Sequence, residues 1–469
     1  MNSTKYLLKN ISLLTLGQFG SKILSFLLVP LYTNILTTTE YGTYDIINST
    51  IALLIPILTL NIADSALRFS IDKDNEKTEV LKVCLHYLVF SIVLIAILLI
   101  IINLFGVFDI IREYQFEFVF LYIVTALSSI LTNYIRGLEK IKVIAISGII
   151  SSFIIILLNI IFLVALKWGL RGYFWATIIG ILFQIIYCTF YIENKRKIVY
   201  KKTNKKLKKE MIIYSKPMII NNIAWWINNL SDRYVIIGLC GVAANGIYSV
   251  SYKIPSILTI FQNIFNQSWI LSAIKDFDKE DENNFFTNTY NRYNIIMIIV
   301  CSSLIIFTRF IAKLLYAKEF YTAWNYVPFL LISVVFGALS GYLGGIYGAV
   351  KDTKMFAKST FISAIINVVL NIILVRIIGP IGAAIATAIS YIIIWIIRLK
   401  GIKKYINLKY NLYKDISAYV ILFLQSSVLY ILDESIIYYT VQFVLLFLII
   451  IIYKNNIKNV FKFIKKRYK

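Results

Sequence analysis

Histidine occurs once in 469 residues, cysteine four times and proline six times, and the 24 acidic residues are outnumbered by 48 lysines and arginines. Each scarcity removes a class of function. The one histidine, His86, falls near the start of the third apolar run and reads as interfacial or packed. With no metal-ligand cluster and no catalytic constellation, neither a cofactor nor a metal site is expected. The cysteines, Cys84, Cys188, Cys240 and Cys301, stand singly in or beside apolar runs without CxxC spacing, so they form no disulfide framework and read as small apolar side chains. Charge of either sign is sparse, at 15% of residues, whereas hydrophobic residues reach 59% and mean hydropathy is +0.76. A soluble domain is roughly 45–50% apolar and has no core large enough to hide such an excess. The bilayer must serve as solvent, and the apolar runs recur along the whole chain.

The net charge of +24 suggests nucleic acid at first sight. The basic residues, however, sit in short blocks between apolar runs and not on one amphipathic face, which argues against a nucleic-acid partner. Lys195 to Lys209 and Lys454 to Lys469 read instead as solvated or headgroup-facing anchors. The first run follows Lys5 and Lys9 as a signal peptide would, yet it continues to about Leu36 without a small-residue cleavage pattern, and is expected to persist as a helix.

Windows of about twenty apolar residues predict an all-α polytopic protein with about fourteen transmembrane helices. The first falls at 10–36, the second at 41–66, the seventh at 212–238, the eighth at 243–270, and the last two at 414–432 and 436–454. With the amino terminus inside, most lysines and arginines fall in inside loops, while the outside loops hold only Arg112, Lys167, Arg171, Lys313, Lys318 and Arg376. That asymmetry follows the positive-inside rule and puts both termini in the cytoplasm.

The two halves echo each other. Gly169, Gly172 and Ala176-Thr177 recur as Gly379, Gly382 and Ala386-Thr387. Gly137 and Lys140 match Gly348 and Lys351, Asn159 matches Asn371, and Tyr41-Gly42-Thr43-Tyr44 answers Asn245-Gly246-Ile247-Tyr248. An offset of six helices preserves membrane orientation, so the expected repeat is parallel, with a cavity between two pseudo-symmetric six-helix lobes. The expected divisions are an amino-terminal lobe at 1–206, a carboxy-terminal lobe at 207–405, and two further helices with a basic tail at 406–469.

An ionisable group at mid-bilayer costs roughly 2.5–3.5 kcal/mol on insertion scales, so those present mark candidate sites. Lys22 lies near the middle of the first span. In the seventh, Asn222, Trp226, Asn229 and Arg233 form one stripe, and Asn221, Trp225, Asn228 and Asp232 its neighbour. Lys253 sits in the eighth. Asp64 and Arg68, spaced i, i+4 in the second, read either as a salt bridge closing a helix end or as a functional pair. Lys22, Arg233 and Lys253, with Arg68, are expected to line a cationic cavity suited to a pyrophosphate or other acidic headgroup. Asn222, Trp226 and Asn229 would supply polar and aromatic lining, and Asp64 and Asp232 charge balance or a coupling-cation site.

Asp232-Arg233, Gly246-Ile247-Tyr248-Ser249, Tyr252-Lys253, Tyr41-Gly42-Thr43-Tyr44 and Ala63-Asp64-Ser65-Ala66-Leu67-Arg68-Phe69 together resemble the oligosaccharide, or O-antigen, flippases of the multidrug/oligosaccharidyl-lipid/polysaccharide exporter superfamily. The resemblance covers the whole chain. It implies a V-shaped architecture, alternating access, and two extra helices that help house a lipid tail. The substrate it implies is an undecaprenyl-pyrophosphate-linked repeat unit of O-antigen, lipopolysaccharide, capsule or another polysaccharide, crossing the bacterial cytoplasmic membrane. Membrane lipids, a polysaccharide polymerase and glycosyltransferases are the partners, and a proton or sodium ion the candidate coupling ion. The rivals are a drug exporter on the same fold, a polytopic enzyme, disfavoured by the short outer loops, and a nontransporting scaffold for glycan assembly.

Overall fold

A computed structural model describes residues 20, 26–72, 75–192, 204–275, 277–282, 284–350 and 352–456. Among them every regular element is helical, and ten helices are long and apolar enough to cross a membrane. Two further long helices, Lys205–Cys240 and Lys253–Lys275, fall outside that set because their sequences are more polar, and Ile436–Ile452 because it is 17 residues long. The chain is a multi-pass integral membrane protein.

In chain order the helices are α1 (Val29–Ile35), α2 (Thr38–Leu58), α3 (Ile62–Ile71), α4 (Lys77–Phe105), α5 (Asp109–Glu113), α6 (Gln115–Gly137), α7 (Ile141–Asn159), α8 (Gly169–Phe190) and α9 (Lys205–Cys240). There follow α10 (Val242–Ser251), α11 (Lys253–Lys275), α12 (Phe285–Ile306), α13 (Thr308–Leu315), α14 (Val327–Ala349), α15 (Thr353–Ile378), α16 (Ile381–Ile402), α17 (Leu412–Ile431) and α18 (Ile436–Ile452). Two compact units divide the chain after Trp226, inside α9.

Local chemistry sets the helix ends and breaks. The Thr37 side chain accepts from the Glu40 amide, and the Thr37 amide donates to the Glu40 carboxylate, a reciprocal cap that starts α2. The second expected span is two helices: α2 stops at Leu58, and α3 begins after Leu60 and Asn61, both left-handed at φ 52. The eighth is likewise divided at Tyr252. Pro255 has no amide hydrogen to offer the Ser251 carbonyl, so the ladder of α10 cannot run through. Beyond α7 the chain continues as a π-helix, Ile160–Ala165, before it turns into α8.

In the first unit α3 packs on α6 and α4, and α7 on α8. α4 sheds its apolar side chains outward, with Phe90, Ile100, Leu104 and Phe105 all exposed, as a lipid-facing helix must. In the second unit α14 is the central post: 78% of its most apolar window is buried, against 22% for α4. It takes α16 on one side and α11 on another. Gly345 leaves room for the Trp269 indole, which stacks on Tyr342 with ring centroids 4.0 Å apart and donates to the Tyr342 carbonyl at 2.8 Å.

Equivalent positions of the repeat make equivalent contacts, each within its own unit. A Cβ on Gly172 would lie 3.0 Å from the Phe162 Cβ, and one on Gly382 would lie 2.4 Å from the backbone of Leu374. Asn159 donates to the Ile155 carbonyl at 2.8 Å, and Asn371 to the Asn367 carbonyl at 2.9 Å. The close approach of α7 to α8 in the first unit is thus repeated by α15 and α16 in the second. The last pair, α17 and α18, is clamped by two glutamines. Gln425 donates to the Gln442 carbonyl at 3.3 Å, and Gln442 to that of Gln425 at 2.9 Å. At the turn between them Glu434 meets Lys313 at 2.5 Å and accepts from the Tyr439 hydroxyl at 2.7 Å.

Two predictions follow from these contacts. Gly382→Ala places a methyl against backbone that cannot yield and should lower stability by about 1–3 kcal/mol. Gly172→Ala, whose methyl would lie 3.0 Å from the Phe162 and Trp168 Cβ atoms, a looser approach, should cost less, and thermal unfolding of the two variants in detergent compares them. The Lys313 ammonium holds the Glu434 carboxyl below its ordinary value, with the Tyr439 hydroxyl adding to the effect. A lowered folded pKa contributes stability that is present above the unfolded glutamate pKa of about 4.3 and is lost as pH falls through the folded value. The gap in melting temperature between the unaltered protein and Glu434→Gln should therefore be present at neutral pH and close on acidification below that value.

Candidate functional site

The polar face of α9 is shared between the two units. In the first, Asn222 donates to Asn61 Oδ1 at 3.0 Å, and Asn61 Nδ2 donates to Asp64 Oδ2 at 2.6 Å. Asn61 can do this because it sits at the left-handed break ahead of α3, which turns its side chain back on the first turn of that helix. Two predicted site residues, Asn222 and Asp64, are thus joined through a third that sequence reasoning did not select. Trp226 donates its indole N–H to the Ser49 carbonyl at 2.8 Å, and Ser65 its hydroxyl to the Met211 carbonyl at 2.8 Å, fixing α9 to α2 and α3.

Of the two readings of Asp64 and Arg68, the i, i+4 salt bridge does not form. Arg68 reaches along the exposed side of α3 to Asp72 at 3.4 Å, with about half of each side chain in solvent, while Asp64 is held by Asn61. Asn61, at the left-handed break, takes the carboxylate in the first turn of α3, and Arg68, in its last turn, pairs with Asp72 one turn further on. Lys22 lies outside the described residues.

The second unit holds an ionic cluster. Asp232 and Arg233 are 2% and 6% exposed. The guanidinium meets Asp232 Oδ1 at 2.8 Å, donates to the Asn229 carbonyl at 2.8 Å and lies over the Tyr252 ring at 4.9 Å. The other carboxylate oxygen accepts from two hydroxyls, Tyr248 at 2.6 Å and Tyr252 at 3.0 Å. Tyr252, the residue that closes α10, keeps helical backbone angles and so lies one turn beyond Tyr248, facing the same atom. Asn229 in turn accepts from the Tyr391 hydroxyl at 2.9 Å, which ties α9 to α16. Asp232, Arg233 and Asn229, all predicted, are thus brought together. Lys253 follows Tyr252 directly and is half-buried at the start of α11.

Further polar groups escaped sequence reasoning. Asn367 donates to the Thr387 hydroxyl at 3.4 Å and accepts from Asn371 at 3.0 Å, a buried amide seam between α15 and α16. Its signal was available, two asparagines spaced i, i+4 in an otherwise apolar span. Arg398, 4% exposed, donates to the Ser359 hydroxyl at 3.0 Å, the Ser340 carbonyl at 2.8 Å and the Thr360 hydroxyl at 2.9 Å, and lies over Phe356. Among the described residues no carboxylate joins it. In the sequence it merges with the inner basic set, so its burial could not be read.

The sequence profile of the family described as "Polysaccharide biosynthesis protein" matches residues 7–271. No curated protein matches by sequence. Solved structures share the fold, among them three of distinct description. The inward closed conformation of the lipid II flippase MurJ is 16% identical, with a TM-score of 0.70, covering 95% of this chain and 99% of that one. An inward-facing multidrug resistance MATE family transporter of the MOP superfamily is 14% identical, with a TM-score of 0.62 over 84% and 95%. A MOP superfamily transporter from Pyrococcus furiosus, described as having a binding pocket of reverse polarity, is 14% identical, with a TM-score of 0.58 over 86% and 96%.

Removing one member of a buried ion pair leaves the other uncompensated, at about 3–5 kcal/mol. Asp232→Asn and Arg233→Gln should each lower the melting temperature strongly, and the double variant should lose markedly less than the two combined. Simple additivity in a thermal-shift cycle would show that the pair is not coupled.

Proposed function

Because the chain belongs to the polysaccharide biosynthesis protein family, we propose that it is a flippase for an undecaprenyl-pyrophosphate-linked oligosaccharide. It carries this precursor of O-antigen, capsule or another polysaccharide from the cytoplasmic to the outer leaflet of a bacterial inner membrane by alternating access. The family match over 265 residues carries the reading, and the fold shared with a lipid II flippase supports it. Lys22, Lys253, Arg233 and Arg68 are the proposed headgroup contacts, with Asn222, Trp226 and Asn229 for sugars. Fixed positive charge is what an anion leaving water requires.

The site chemistry divides these roles. Arg233 is locally neutralised by Asp232, so its proposed part is to present donors from a balanced cluster, and Lys22 and Lys253 supply the net charge. The polyprenyl tail stays in lipid along α18, where Ile436, Tyr439, Phe443, Phe447 and Ile450 line an open apolar groove of about 690 Å³. A membrane potential, negative inside, favours outward movement of an anion by about 2.3 kcal/mol per charge per 100 mV. Asp64 and Asp232 are the carboxylates for a coupling proton or sodium ion. The second reading is export of a cationic small molecule, favoured by the buried Asp232 carboxylate among tyrosines and by the shared fold with multidrug transporters.

Transfer of a lipid-pyrophosphate-linked oligosaccharide in proteoliposomes under an imposed potential is the test. The unaltered protein should transfer it, and Lys22→Ala and Lys253→Ala, inserted at equal abundance, should each lose about 10- to 100-fold, as for a lost charge-assisted contact. Transfer unchanged in both would overturn the assigned headgroup site. Transport of a lipophilic cation without any such lipid would replace the flippase reading with the second.

A further inference from the structure

The last helix pair carries a polar cavity that the proposed transport route does not use. It has a volume of about 290 Å³ and opens at the end of α17 and α18 that the distribution of basic residues assigns to the inner leaflet. Asn291, Lys409, Asn411, Lys414, Asp415 and Asn456 line it. Its size is near the lower end of small-molecule pockets.

Asp415 is the unusual member. A carboxylate 4% exposed in the first turn of a membrane helix needs an explanation. Both hydrogen bonds that reach it, from Asn294 at 3.0 Å and the Tyr453 hydroxyl at 2.7 Å, land on Oδ1. Among the described residues Oδ2 has no hydrogen-bond partner, and the residue borders the cavity. Asn294 is itself fixed by the Tyr419 hydroxyl at 3.0 Å, and Asn291 donates to the Lys409 carbonyl at 3.1 Å, so both the carboxylate and the loop around the cavity are held in place. Two ammonium groups against one carboxylate give the opening a net positive charge, which disfavours a free cation. The combination asks for a ligand that brings an anion for Lys409 and Lys414 and a hydroxyl donor for Asp415 Oδ2.

We infer that this cavity binds the phosphodiester of an inner-leaflet lipid whose headgroup also bears hydroxyls, with the phosphate on Lys409 and Lys414 and a hydroxyl donated to Asp415. A phospholipid such as phosphatidylglycerol and a lipid-linked sugar phosphate share this chemistry. The inference uses the membrane orientation and not the identity of any transported molecule.

Native mass spectrometry of the full-length protein tests it, with phosphatidylglycerol, phosphatidylmethanol, which has the charge without the hydroxyls, and phosphatidylcholine, all of matched chains. The unaltered protein should retain phosphatidylglycerol best. Lys409→Gln and Lys414→Gln, both at exposed positions, should each weaken retention about fivefold, the share of one basic residue near an anionic headgroup. Asp415→Asn should make phosphatidylglycerol and phosphatidylmethanol indistinguishable. Undecaprenyl phosphate linked to a single sugar, added as competitor, separates the sources: displacement at a lower concentration than phosphatidylglycerol itself requires identifies the lipid-linked sugar, and its absence a bulk phospholipid. Retention of phosphatidylglycerol no better than phosphatidylcholine, or unchanged when both lysines are replaced, would overturn the inference whatever the behaviour of Asp415→Asn.

Discussion

Hydrocarbon offers a polar group no water, so every polar side chain admitted to the membrane interior must find its partner inside the protein. This constraint decides how the helices here are held. With lipid as apolar as the side chains it replaces, burying leucine against leucine contributes little, and packing with interhelical hydrogen bonds takes over. Trp226 on the Ser49 carbonyl, Ser65 on that of Met211, Arg398 on that of Ser340 and the reciprocal glutamines of α17 and α18 are instances of one rule. Each is a side-chain donor on the backbone acceptor of a neighbouring helix. Such contacts fix the axial register of a helix pair as no apolar contact can.

The same rule explains why a charge count along the spans is a poor guide to the electrostatics of a site. Arg233 appears in the sequence as a cation in a membrane helix, and in the structure it is half of a pair whose other half is the preceding residue. Tyr248 and Tyr252 complete the shell of the carboxylate, so the cluster presents oriented hydroxyls and a delocalised cation with little net charge. A headgroup contact made through such a cluster has its donors already positioned and has no buried monopole to stabilise while the site is empty.

Much of the fold was legible because hydropathy windows and the repeat both report on the bilayer, the dominant solvent. Every expected span whose residues are described coincides with a helix or a broken pair. The breaks at Asn61 and Tyr252 were not read, since a window of twenty residues averages over a single left-handed residue or one missing amide hydrogen. Pro255 was the local signal of the second. Legibility of the site was lower. Helical stripes put Asn229 with Arg233 and Asp232 on the neighbouring stripe, and the three meet because one helix carries them all. The stripes could not show that Asp64 would be held by Asn61 and Arg68 by Asp72, because the partner of Asp64 is placed by the left-handed break ahead of α3 and not by helical spacing. Tyr391 and Arg398 belong to partners far along the chain, and spacing within a segment carries no information about them.

The repeat sharpens the contrast between the units. Their helix pairs approach at matched glycines, Gly172 and Gly382, and matched asparagines make the same bond one turn back. These contacts are therefore common to both units, while the side chains around them differ. In the first unit the polar thread through Asn222, Asn61 and Asp64 contains one charge, held by neutral amides. At Tyr44, the counterpart of Tyr248, the hydroxyl meets Thr177 and not a carboxylate. The second unit buries Asp232, Arg233 and Arg398, together with the Asn367 and Asn371 amides. Each unit buries a carboxylate, Glu117 at 5% exposure in the first and Asp232 at 2% in the second, but Glu117 meets the exposed Arg171 at 3.7 Å, whereas Asp232 is closed in by Arg233 and two tyrosine hydroxyls. A buried ion pair is costly unless its hydrogen bonds are satisfied, so the tyrosine shell is what lets the second unit hold one beside the same kind of glycine-packed helix pair.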